Sequence, residues 1–181
     1  MKELSLNILD IAKNSTVAGA SLIEISLVTD ERGILTMTIR DNGCGMSEET
    51  LQRVSDPFYT TRKTRKVGLG IPLLRMAAEG TGGSLTITSS QKEEDHGTTV
   101  TAVFDSLHLD FAPVGDVVSS LIILISGDPD RDFVFLDKTP TREVRLDTRE
   151  LRAVLGDVSL AEYEVTEWIR AYLSAQYQQE S

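Results

Sequence analysis

Cysteine, positive charge and long apolar runs are all scarce in this chain of 181 residues. The single cysteine, Cys44, excludes an internal disulfide framework and a zinc site built from several cysteines. No apolar run approaches the roughly 20 residues of a membrane span. Polar residues interrupt the first apolar positions at once, so we do not expect a secretory signal. These features favour a cytoplasmic protein without a membrane partner.

Lysine and arginine together number 18 against 28 acidic residues, which gives a formal net charge of −10. Non-specific nucleic-acid binding requires a basic surface, so we expect no nucleic-acid partner. One basic cluster stands out against this background, namely Arg62, Lys63, Arg65 and Lys66. Such a run is most often part of a solvated loop, and only its sequence neighbours indicate another role.

Hydrophobic residues make up 40% of the chain and charged residues 25%, which indicates a packed core. Apolar spacing predicts, in order, a helix over 3–18, strands over 21–28 and 34–40, a short helix from residue 47, a loop over 55–70, a helix over 71–79 and strands over 84–89 and 98–104. This order is typical of an α+β sandwich with helices on one face of a mixed or antiparallel sheet. Beyond it we predict a helix over 114–126, a hairpin of 133–136 with 143–146, and helices over 148–155 and 161–177.

The first helix carries Asp10 and Asn14 four positions apart, so both side chains leave the same face. An asparagine oxygen is a neutral ligand for Mg²⁺, and a carboxylate can accept a proton from water or a hydroxyl group. The same pair also suits the solvated side of an amphipathic helix, so the two residues alone leave both interpretations open.

Asp41, Gly43, Gly45 and Met46 follow the second strand within the segment Asp-Asn-Gly-Cys-Gly-Met. A carboxylate here can accept a hydrogen bond from the exocyclic amino group of adenine. The glycines let the backbone lie close to the ring, and a methionine can pack on it. Thr98 opens a later strand and offers a hydroxyl that can complete such contacts, directly or through water. Each segment alone also fits an ordinary turn.

The loop before the third helix combines a threonine, basic residues and glycines: Thr61, Arg62, Lys63, Gly68, Leu69 and Gly70. Backbone N–H groups at a glycine-containing helix N-terminus bind anions, and adjacent basic side chains add charge-assisted contacts to phosphates. No Gly-Lys-Ser/Thr follows the glycines, as a P-loop requires, and no hydrophobic strand leads directly into them, as a dinucleotide-binding fingerprint requires. The sequence therefore predicts a phosphate site of another kind.

Taken in order, these segments resemble the N, G1, F/G2 and G3 boxes of the GHKL ATPase superfamily, which includes gyrase, histidine kinases and mismatch-repair ATPases. The resemblance covers residues 3–104 and implies a Bergerat-type fold, a mixed sheet covered by helices on one face, with ATP between helices and a flexible lid. It implies ATP and Mg²⁺ as ligands, with Asn14 similar to the Mg²⁺ ligand and Asp41 to the adenine-recognition residue. We assign residues 1–107 to the ATPase domain and 108–181 to a small α+β extension.

The reaction is left open by these residues. Asp10 stands where catalytic members of the superfamily carry glutamate, which allows slow ATP hydrolysis or phosphorylation of a partner protein. An ATP-gated interaction module is the alternative. A conventional histidine kinase carries its phosphoacceptor histidine ahead of this domain, and neither His96 nor His108 is expected to replace it. We therefore expect a partner or phosphoacceptor in trans. Residues 108–181 fit either a packing extension or a docking module for a partner or a second copy.

Overall fold

The computed structural model describes residues 3–56 and 70–179. Its helices are α1 (Leu4–Val17), α2 (Glu48–Ser55), α3 (Gly70–Glu79), α4 (Val117–Gly127), α5 (Thr148–Leu155) and α6 (Tyr163–Gln178). Its strands are β1 (Leu22–Thr29), β2 (Ile34–Asp41), β3 (Ser84–Ser90), β4 (Gly97–Asp105), β5 (Asp132–Thr139) and β6 (Arg142–Asp147). Within these ranges no helix combines the length and apolarity needed to cross a bilayer.

The strands form one six-stranded sheet in the order β3-β4-β2-β1-β5-β6. Four neighbouring pairs are antiparallel, and β1 and β5 are parallel, so the sheet is mixed. Every helix and strand that the apolar spacing predicts within the described residues is present, with ends that differ by a few residues. The predicted α+β fold is therefore confirmed, whereas the predicted loop over 55–70 lies largely outside the described residues.

Strict alternation along the central strands decides which face of the sheet is buried. Side chains at odd positions in the middle of β1 and β2, such as Ile25 and Met37, are almost fully buried. Glu24 and Arg40, at even positions, point to the opposite face and lie 3.9 Å apart. Helix α1 packs against β1 and β2, α3 against β3 and β4, and α6 against β6, with α4 between α1 and α6. The helices thus enclose the apolar face.

The C-terminal third continues the same sheet. Strand β5 pairs in parallel with β1, and β6 returns antiparallel beside β5 as the predicted hairpin. One hydrophobic cluster extends from Leu4 in α1 to Leu173 in α6. The Gln176 side chain accepts a hydrogen bond from the backbone N–H of Arg145 at 2.8 Å and donates one to its carbonyl at 2.9 Å. The described residues after 107 therefore share a core with those before it, while a domain boundary at 107 stays a prediction.

Candidate nucleotide site

Three polar side chains on neighbouring strands lie side by side at the end of the sheet's buried face. Asp41 of β2 pairs with Thr98 of β4, and Thr98 pairs with Ser89 of β3. Two residue pairs further into the sheet along β2 and β4, the same face carries the buried residues Ile39 and Val100. Because side chains alternate along a strand, the three polar groups occupy what would be the next layer of the core. The core therefore opens into a polar site beneath the helices.

The Asp41 carboxylate is held from two sides. The Ser15 hydroxyl of α1 donates to Oδ2 at 2.6 Å, and the backbone N–H of Gly43 donates to Oδ1 at 2.9 Å. Ser15 itself is only 2% exposed, so the donor of this bond is shielded from bulk water, whereas the Asp41 side chain is half-buried. A carboxylate can accept about four hydrogen bonds. Asp41 is therefore held in one orientation and retains capacity to accept a donor from a ligand.

The loop after β2 is tied to the connection between α1 and β1. The Asn42 side-chain oxygen accepts from the backbone N–H groups of Ser21 at 2.9 Å and Leu22 at 3.0 Å. The N–H of Cys44 donates to the carbonyl of Ala18 at 2.9 Å. These bonds align a loop that lacks regular structure of its own, so its glycines present backbone to the site in a defined position.

Two glycines allow the loop after β2 and the β3–β4 turn to approach each other. Gly45 has a φ of +73°, and a Cβ there would overlap the carbonyl of Ser90. Gly97 has a φ of +142°, and a Cβ there would overlap the carbonyl of Asp41. Both the backbone conformation and the close approach require glycine. These two glycines therefore serve close backbone-to-backbone contact between the two segments.

The end of β3 and the β3–β4 turn support the loop after β2 (residues 42–46, hereafter the glycine loop). They do so through side chains that the sequence did not indicate. The hydroxyl of Ser89 accepts from the N–H of Met46 at 2.7 Å and donates to the carbonyl of Gly97 at 3.0 Å. His96 Nδ1 lies 2.8 Å from the carbonyl oxygen of Gly43, which can only accept, so Nδ1 is the donor. His96 thus buttresses the loop. No short-range spacing could have revealed this contact, because it joins residues 53 positions apart.

The start of α3 meets α1 beside Asp10. A Cβ on Gly70, the first residue of α3, would lie 3.4 Å from the Cβ of Asp10 and 3.4 Å from Cδ1 of Ile11. Asp10 is exposed and Asn14, one turn further, is half-buried. The N-terminal end of a helix carries partial positive charge. A carboxylate therefore lies beside the start of α3, and the Asn14 amide follows one turn further along α1.

The structure places Asp41, Gly43, Gly45, Met46 and Thr98 at one end of the sheet, where Ser15 joins α1 to Asp41. Asp10 and Asn14 lie on the same helix, and Gly70 lies beside Asp10. The remaining predicted members, Thr61, Arg62, Lys63, Gly68 and Leu69, lie outside the described residues. The placement joins segments that are far apart in sequence, while the role of each residue in binding stays a prediction.

Comparison with known proteins places residues 1–108 in the family of histidine kinase-, DNA gyrase B-, and HSP90-like ATPases. Sporulation kinase E of Bacillus subtilis (strain 168) is 33% identical over 98 residues, which are 54% of this chain and 13% of that protein. The C4-dicarboxylate transport sensor protein DctB of Pseudomonas aeruginosa is 42% identical over 57 residues, 31% of this chain and 9% of that protein. The chain thus spans only a small part of these relatives.

Among solved structures, the Aquifex aeolicus MutL ATPase domain, complexed with ADP, matches with a TM-score of 0.55 and 14% identity. The match covers 99% of this chain and 70% of that chain, and at this identity it shows a shared fold. The family match covers more than half of the chain and includes every described residue of the polar site. The chain therefore belongs to the family of histidine kinase-, DNA gyrase B-, and HSP90-like ATPases.

Proposed function

We propose that this chain binds Mg-ATP between α1, the start of α3 and the polar end of the sheet. The observation that carries the proposal is the Asp41 carboxylate, which continues the buried face of β2 and is held by Ser15 at 2.6 Å and by the Gly43 amide at 2.9 Å. A carboxylate so oriented suits recognition of a hydrogen-bond donor on a flat ring. Family membership supports ATP as the ligand.

The adenine ring, in this proposal, lies against the glycine loop. Asp41 accepts a hydrogen bond from the exocyclic amino group, which guanine does not present at that position. Thr98, paired with Asp41 across β2 and β4, adds a hydroxyl beside it. Gly43 and Gly45 are buried backbone positions that let the ring approach, and the half-buried Met46 packs on its face.

The phosphates and Mg²⁺ are assigned to the other end of the site. Among residues 3–56 and 70–179 no group of three or more His, Cys, Asp or Glu side chains is positioned to hold a metal. Mg²⁺ commonly takes one or two protein oxygens and completes its shell with phosphate oxygens and water. The Asn14 amide oxygen fits that requirement, and Mg²⁺ bound there would neutralise phosphate charge.

Phosphate oxygens are proposed to meet the N-terminus of α3 at Gly70 and the segment that precedes it. Backbone N–H groups at a helix N-terminus are a common anion site. The sequence supplies Gly68, Leu69, Thr61, Arg62 and Lys63 in the preceding segment as further phosphate contacts.

For the reaction, we propose slow ATP hydrolysis or transfer of the γ-phosphate to a partner protein. Asp10 is the proposed base, which accepts a proton from an attacking water or hydroxyl; its position on α1, one turn before Asn14 and beside the start of α3, supports this role. The relatives include a sporulation kinase and a transport sensor protein, which supports phosphotransfer as one of the two reactions. A protein acceptor supplied in trans, a cytoplasmic location and a homodimer belong to the same proposal.

An ATP-gated interaction module is the second candidate. Asp10 is exposed, and its carboxylate reaches about one methylene less far than the glutamate of catalytic relatives. Binding that orders the segment before α3 could then change a surface without turnover.

Calorimetric titration with a non-hydrolysable ATP analogue and Mg²⁺ tests the binding site. Loss of one hydrogen bond to a charged group costs about 1.5–3 kcal/mol, so Asp41→Ala should weaken binding roughly 10- to 100-fold. Asn14→Ala should weaken binding in Mg²⁺ and have little effect in EDTA. Ser5→Ala, on the same helix but away from the site, is the control. A well-folded wild-type protein that binds no nucleotide refutes the proposal.

The two candidates are separated by Asp10→Asn. If Asp10 is the base, this variant keeps its nucleotide affinity and loses hydrolysis and phosphotransfer. If the chain is an interaction module, the variant retains all ATP-dependent behaviour of the wild type, because the carboxylate takes no part in it.

A further inference from the structure

The Asn7 side chain of α1 is fully buried and unpaired. Its exposure is 0%, and neither its amide nitrogen nor its oxygen has a hydrogen-bond partner among the residues that the structure describes. Buried side-chain amides in native proteins are nearly always paired, so an unpaired one calls for a physical explanation. Neither adenine recognition nor Mg²⁺ binding as proposed above uses this residue.

The helical periodicity of α1 places Asn7 at its contact with α3. Residues advance by 100° around an α-helix, so Asn7 lies between the directions of Asp10 and Ile11, one turn nearer the N-terminus. Those two residues flank Gly70 at the start of α3, where a Cβ added to Gly70 would lie 3.4 Å from a side-chain atom of each. Helical periodicity therefore directs Asn7 toward α3, one turn beyond the point at which the start of that helix meets α1.

The opposite flank of α1 packs against α4, and the buried polar groups at that contact are hydrogen-bonded. There the hydroxyl of Ser120 in α4 donates to the carbonyl of Ser5 at 3.0 Å, and both side chains are almost fully buried. The α1–α4 contact thus carries a satisfied hydrogen bond, whereas the amide that helical periodicity directs toward α3 is buried without one.

We propose that Asn7 is a positioning residue that couples nucleotide occupancy to the packing of α3 against α1. The inference rests on the proposed binding of Mg-ATP. In the arrangement described here the unpaired amide opposes tight α1–α3 packing. Phosphates bound at the N-terminus of α3 displace that helix relative to α1, and the displacement brings a backbone group of α3 within hydrogen-bond reach of Asn7. The nucleotide-bound arrangement is thereby favoured over the nucleotide-free one.

The test replaces Asn7 by leucine, which is similar in size and has no polar atom to satisfy. Asn7→Leu should raise the thermal midpoint of the nucleotide-free protein, because an unpaired polar group is removed from the interface. It should also weaken binding of Mg²⁺ with a non-hydrolysable ATP analogue by at least fivefold. In hydrogen exchange, residues 70–79 should change protection on nucleotide addition in the wild type and change much less in Asn7→Leu.

Ser120→Ala is the matched control, since it alters a buried polar group on the other flank of α1. It should lower the thermal midpoint and leave nucleotide affinity within twofold of the wild type. If Asn7→Leu does not fold, Asn7→Ala removes the same amide with a smaller side chain and should show the same loss of coupling.

The outcomes distinguish this inference from the proposed function. A wild type that binds nucleotide together with an Asn7→Leu variant of equal affinity and equal exchange response overturns the coupling and leaves ATP binding intact. A lower thermal midpoint in Asn7→Leu with an unchanged nucleotide response also overturns it, because Asn7 is then a packing residue. A folded wild type that binds no nucleotide overturns both.

Discussion

Replacing Ser15 by alanine should loosen the Asp41 carboxylate without altering the groups that contact the ligand. In the structure the Ser15 hydroxyl donates to Oδ2 at 2.6 Å while the Gly43 amide donates to Oδ1. Ser15→Ala removes the first donor and leaves the second. The carboxylate then stays attached to the glycine loop but gains rotational freedom about its side-chain bonds.

The size of the effect follows from the type of bond and its burial. Hydrogen bonds to a charged group contribute about 1.5–3 kcal/mol, and the half-buried Asp41 can replace part of that with water. We therefore expect the free energy of unfolding to fall by about 1–2 kcal/mol, which corresponds to roughly 2–8 °C in the thermal midpoint for a chain of this size. Reorienting the carboxylate on binding should cost about 1 kcal/mol, or roughly fivefold in affinity.

The assay is titration of the wild type and of Ser15→Ala with adenine and guanine nucleotide analogues. Ser5→Ala is the matched control, because Ser5 is an equally buried serine of α1 whose hydroxyl donates to Glu3 at 3.0 Å, away from the site. Ser15→Ala should weaken adenine nucleotide binding and reduce the preference over guanine, whereas Ser5→Ala should change neither by more than about twofold. If the two variants have the same affinities, Ser15 does not orient Asp41 for binding.

Three further predictions concern the turn beside the site and an N-terminal helix cap. Gly97→Ala should lower the free energy of unfolding in urea by at least about 2 kcal/mol, because its φ of +142° and its contact with a carbonyl of β2 exclude a Cβ; an unchanged midpoint would contradict this. His96→Ala should remove the hydrogen bond to the Gly43 carbonyl and weaken nucleotide binding about fivefold, since a hydrogen bond between neutral groups contributes about 1 kcal/mol. His96→Asn keeps a donor and should restore binding. Asp116 caps the N-terminus of α4, and hydrogen bonds from the hydroxyl and the backbone N–H of Ser119 lower the pKa of its carboxyl group. The contribution of this cap to stability is thus complete above about pH 4 and is lost as pH falls through the lowered pKa. Asp116→Asn should therefore gain stability relative to the wild type in acid. Parallel curves of unfolding free energy against pH for the two proteins would exclude this account.

Local patterns were sufficient to predict the helices and strands. Alternating burial in β1 and β2 and the apolar face of α1 are set by residues close together in sequence, so their periods are visible directly. The parallel pairing of β1 with β5 was not predicted, because it joins Leu22 to Asp132. Pairing over such a separation depends on the packing of the whole core.

The site shows the same division between local and long-range information. Asp10, Asn14, Asp41 and Thr98 were predicted because each stands in a short motif whose order resembles a known family. The support given by Ser89, which accepts from the Met46 amide, depends on the register of β3 against β4. A serine at the end of a strand has no distinguishing neighbour in sequence, so residues of this kind are found only once the fold is known.

The parallel pairing of β1 with β5 has a consequence for synthesis on the ribosome. Strand β1 lies inside the sheet, and its partner on one side begins only at Asp132. While the chain grows, the family domain therefore emerges with an unpaired strand edge and without the buried rings of Phe133 and Phe135. Exposed edges and apolar surface promote association between chains. We infer that the family domain in this chain completes its fold late, after the C-terminal third has been translated.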